Sequence, residues 1–100
     1  MDELQSLLAR YIEALQAGAT ATAGTPAHGE FMERLAGAGA VGQAVEANDL
    51  GRAIAILREE QRVLGWGHLP GRTGGDAQAA LHRLFDYAQE LRLRDRPPAW

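Results

Sequence analysis

One hundred residues, 46% of them apolar and none of them cysteine, are enough for one small domain with a single modest core, and they leave no thiol for a disulfide or a thiolate metal site. The formal charge of −3 divides into −5 over residues 1–60 and +2 over residues 61–100, and every basic residue is arginine, so the basic stripe of a dedicated nucleic-acid binder is missing. No apolar run approaches the roughly 18 residues of a membrane span, and Met1-Asp2-Glu3 opens an acidic, amphipathic stretch, which points to a cytoplasmic protein with neither leader nor membrane anchor.

The spacing predicts a first helix over residues 3–17. Leu4, Leu7, Leu8, Tyr11, Ile12 and Leu15 share one face, with Glu3, Ser6, Arg10 and Glu13 opposite, and Gly18 suits a left-handed helix end. Residues 18–25 are Ala, Thr and Gly with nothing bulky to pack, and read as a mobile connector. Thr25-Pro26 supplies a cap and a first-turn proline for a second helix with Phe31, Met32 and Leu35 on its apolar face. Gly37-Ala38-Gly39 is expected to kink or break that helix, which resumes with Val41, Ala44 and Val45.

Asn48-Asp49 read as the turn and cap into a helix over about residues 49–64, with Leu50, Ala53, Ile54, Leu57, Gln61 and Leu64 on its main stripe. Ile56 and Val63 form a second, narrower stripe bordered by Arg52, Glu59 and Glu60, which suits a neighbouring helix of this chain or of a partner. Ala47-Asn48-Asp49-Leu50-Gly51-Arg52-Ala53-Ile54 resembles the turn and second helix of a tetratricopeptide-type hairpin. No second copy follows at a spacing of about 34 residues, so the resemblance implies a helical hairpin and nothing more.

Five glycines and a proline between Gly65 and Gly75 predict a Gly-rich loop before a last helix over about residues 77–93, capped by Asp76 and burying Leu81, Leu84, Phe85, Ala88 and Leu91. Residues 94–100 are expected to form an extended tail, because Pro97 and Pro98 lack the N–H groups a helix needs. Trp66, Leu69 and Pro70 either close the end of the core or anchor another protein, and core closure is the expectation. Trp100 is expected to be free or to order on a partner.

Residues with catalytic potential do not converge. His82 and Asp86 are four residues apart on one helix face, but His28 and His68 lie in unrelated segments without a second ligand pair. His28 reads as a packing residue beside Phe31 and Met32. Ser6 is the only serine, and it sits on the polar face of the first helix far from any histidine, which excludes a Ser-His-Asp arrangement. Glu59 and Glu60 point about 100° apart on a helix, and Glu30 and Glu33 share a solvated face with Arg34.

The sequence therefore predicts an all-α bundle of four to five helices over residues 1–93. Its expected task is non-enzymatic, as an adaptor, inhibitor or accessory subunit, or as a self-associating unit, with no metal and no cofactor. The candidate partner-binding residues are Ile56, Val63, Trp66, Leu69 and Trp100. The alternative is a small-ligand or anion site at residues 65–76, where free N–H groups at a helix start favour negative charge.

Overall fold

Four helices make up the fold: α1 (Asp2–Ala21), α2 (Ala27–Glu46), α3 (Leu50–Trp66) and α4 (Gly71–Asp95). The computed structural model describes residues 2–66, 69 and 71–95, without the side chains of Asp2, Gly65, Trp66 and Asp95. Short connections force successive helices to run antiparallel. They pack in a ring, α1 on α2, α2 on α3, α3 on α4 and α4 back on α1.

Each helix gives a stripe to one core. Leu4, Tyr11 and Leu15 of α1, Phe31 and Val41 of α2, Leu57 of α3, and Leu81 and Leu84 of α4 are all fully buried. Burying each such leucine contributes about 1.5–3 kcal/mol, which offsets the conformational entropy lost on folding. Among the described residues no helix is long and apolar enough to cross a membrane.

The α2–α3 turn forms as its residues dictate. Asn48 takes the left-handed conformation (φ 57°), the Asp49 N–H donates to the Ala44 carbonyl at 2.8 Å and the Asn48 N–H to that of Val45 at 3.0 Å. This double closure ends α2. The Asp49 carboxylate then accepts the Arg52 N–H at 3.1 Å and caps α3.

Glycine-containing stretches depart from the sequence expectation in three places. α1 continues past Gly18 to Ala21, because Gly18 lies inside the helix under the Phe31 ring, and a Cβ there would overlap that ring. The left-handed glycine is Gly24 (φ 80°), in the turn three residues past the end of α1. α2 is unbroken through Gly37-Ala38-Gly39: Ala38 is fully buried, and Gly37 leaves room for the Glu60 carboxylate.

The expected Gly-rich loop is mostly helix. α3 extends to Trp66 and α4 already begins at Gly71, so Arg72-Thr73-Gly74-Gly75 form its first turn and Asp76 lies inside the helix instead of capping it. Gly74 is buried against the backbone and Cβ of Leu69, and three residues on Ala77 is fully buried, so tertiary packing outweighs the low helix propensity of glycine. Thr25 does not cap α2 either: its hydroxyl donates to the Thr22 carbonyl at 2.7 Å, and Pro26 stands at the cap in helical geometry.

Candidate functional site

The feature least visible in the sequence is a buried ion pair between α2 and α3. Arg34 follows Phe31 by three residues and precedes Ala38 by four, while Glu60 stands in the same relation to Leu57 and Leu64, so each charge lies within its helix's buried stripe. Arg34 is 8% exposed and Glu60 7%, and the guanidinium Nη1 donates to Glu60 Oε2. Arg34 Nη2 also lies 3.6 Å from the exposed Glu33 carboxylate.

Tyr11, fully buried on α1, completes the cluster. Its hydroxyl is pushed well above its ordinary pKa by burial and then by the Glu60 charge, with Arg34 opposing. Glu60 is raised too, because burial outweighs the attraction of Arg34. Among the described residues neither the Tyr11 hydroxyl nor Arg34 Nε meets a hydrogen-bond partner. The cluster is closed off from solvent, so its chemistry is that of a structural lock between helices.

The accessible counterpart is the outer face of α1 and α2. Toward one end a groove of 620 Å³ is lined by Gln16, Ala19, Thr20, Ala23, His28, Met32 and Leu35. Toward the other, a groove of 210 Å³ is lined by Gln5, Leu8, Ala9, Ile12, Gly42, Val45 and Glu46. Between them the helix period brings Ala36, Gly39 and Gln43 of α2 to the same outward side, all but Glu46 being uncharged. Met32, 48% exposed, stands on this face, and His28 is held beside it by a 2.8 Å hydrogen bond between Nδ1 and the Ala19 carbonyl.

Two further grooves among the described residues carry charge. The one between α1 and α4 is lined by Arg10, Asp76 and Arg83 along with Leu7, Ala79 and Ala80. The one between α3 and α4 has Arg58 and Arg92 beside Leu93, which is 68% exposed.

Of the partner-binding candidates read from the sequence, Ile56 is half-buried and packs on the core of its own chain, and Val63 is half-buried on the same side of α3. Leu69 is buried in the core at 7% exposure. The Trp66 side chain, Pro70 and Trp100 lie outside the described residues. His82 pairs across helices, its Nδ1 accepting from Gln61 Nε2 at 2.7 Å, and among the described residues no three His, Asp or Glu side chains gather where they could hold a metal.

The sequence pattern puts Arg34 on a solvated face with Glu30 and Glu33, puts Glu60 at the border of the Ile56/Val63 stripe, and gives the α1–α2 face no role. The helix period around Phe31 and Leu57 carries the signal for the buried pair; for the face, the signal is that no arginine falls among the residues that α1 and α2 turn to their shared outer side. No family model, curated protein or solved structure matches the chain.

Proposed function

We propose that the chain is a non-enzymatic helical interaction module, an adaptor, inhibitor or accessory subunit, that binds a helix of a partner protein along the outer face of α1 and α2. The supporting observation is the near-absence of charge on that face in a chain that is 23% charged. Protein interfaces are depleted of charge at their centre and enriched in methionine, which adapts its shape to what it meets. Ala9, Ala36, Gly39 and Gly42 keep the face low, so that a further helix can approach to about 8–10 Å between axes.

Affinity capture with three baits tests this reading. Gly39 and Gly75 are both exposed helical glycines at which a Cβ meets nothing, so arginine is tolerated at either and raises helix propensity. A protein recovered stoichiometrically by the wild type and by Gly75→Arg should be lost with Gly39→Arg. Equal recovery by all three baits contradicts the reading.

A further inference from the structure

We infer that the occupant of the α1–α2 face is an amphipathic helix whose apolar ridge is flanked by arginine or lysine. This rests on the reading of that face as a docking surface and adds the chemistry of the partner. Carboxylates stand at the edges of the floor: Glu46 closes one end, the helix period puts Glu13 about 100° round α1 from Ile12, and Glu33, next to Met32 on α2, already lies 3.6 Å from Arg34 Nη2. Neither helix turns an arginine to this side, because Arg10 lines the groove between α1 and α4 and Arg34 is buried against Glu60; among the described residues His28 is the one basic side chain on the floor, tied to the Ala19 carbonyl.

A ridge carrying acids would meet like charge along both edges, whereas one carrying bases meets its complement there, with the uncharged floor beneath its apolar side chains. From Gln5 to Ala21 the face runs about 24 Å, long enough for about sixteen residues of a docked helix. A second copy of this chain is the poorer fit: its basic α3–α4 surface is itself a groove, and two grooves do not interlock.

The test titrates two synthetic helices of equal length, with the same Leu/Ala ridge and either Arg or Glu on both flanks, into the full chain and reads fluorescence anisotropy. The Arg-flanked helix should bind about tenfold more tightly or better at low salt, with the advantage shrinking as salt rises. Binding should be lost in Gly39→Arg and retained in Gly75→Arg. Glu13→Arg/Glu46→Arg should invert the preference, with folding checked by an unchanged helical circular dichroism signal. Equal binding of the two helices, abolished by Gly39→Arg, overturns the basic partner and leaves the docking face standing. Binding indifferent to Gly39→Arg overturns both. A mass of twice 10.8 kDa in the wild type that Gly39→Arg halves identifies a second copy as the occupant and overturns the basic helix.

Discussion

The two sides of α2 have their residue types exchanged. Toward α3 the helix carries Arg34 into the interior, against Glu60 and beside the fully buried Tyr11. Toward solvent, next to α1, it presents Met32, Ala36 and Gly39 with no charge among them. Neither arrangement is what water alone selects. Inside, the ion pair fixes which turn of α2 meets which turn of α3, since Gly37 must stand opposite the Glu60 carboxylate. Outside, the missing charge makes sense when a further helix covers it. On the proposed reading, one side of α2 sets register and the opposite side recognition, and each side can be altered separately.

The inner side breaks hardest. Glu60→Leu leaves the Arg34 charge buried without its partner and should cost about 3–5 kcal/mol in urea denaturation, whereas Arg34→Met/Glu60→Leu should be close to neutral or stabilising by about 1–4 kcal/mol. If the single and double variants were equally unstable, the pair would not be coupled. Next in size, Gly18→Ala forces a methyl into the buried Phe31 ring and should cost about 1–3 kcal/mol, although alanine favours helix at any unobstructed position.

Gly37→Ala sharpens the comparison by its dependence on background. In the wild type the new methyl overlaps a carboxylate pinned by Arg34, so the substitution should destabilise. In Arg34→Met/Glu60→Ala the obstruction is gone, and it should stabilise by about 1 kcal/mol. Equal effects in the two backgrounds would separate Gly37 from the pair.

A smaller effect is the dependence on pH. Burial raises the Glu60 pKa above its unfolded value, so the folded chain holds that proton more tightly. Its contribution is fully present below the ordinary carboxylate pKa of about 4.3 and fades as pH rises through the elevated value. Glu59 behaves oppositely: its hydrogen bond to Arg62 holds it below the ordinary range, so its contribution is lost as pH falls. The stability of the wild type relative to Glu60→Gln should therefore decline as pH rises from about 4.3. A flat difference would show that burial does not perturb Glu60.

The sequence was a good guide wherever one helix's own period decided the outcome. The faces of α1 and α3, the Asn48-Asp49 turn and the all-helical class all follow from local spacing. It was a poor guide at glycine. Gly18, Gly37 and Gly74 each look like a helix end or breaker, yet each makes room for a neighbour distant in sequence: Phe31, Glu60 and the Leu69 backbone. Local propensity cannot register a partner 26 residues away, which is also why Arg34 and Glu60 read as surface charges. The α1–α2 face escaped notice for a related reason: α2 buries a charge and exposes apolar residues, so its period does not separate inside from outside.

The central claim, that the uncharged outer face of α1 and α2 is where this protein binds a helix, is tested most directly by chemical-shift mapping. The amides of the ¹⁵N-labelled chain are followed while the Arg-flanked helix is added. Shifts should gather at Ala9, Ile12, Met32, Leu35 and Gly39 and leave Ile56, Val63 and Leu93 in place. Shifts concentrated on α3 and α4, at Ile56, Val63 and Leu93, would contradict it.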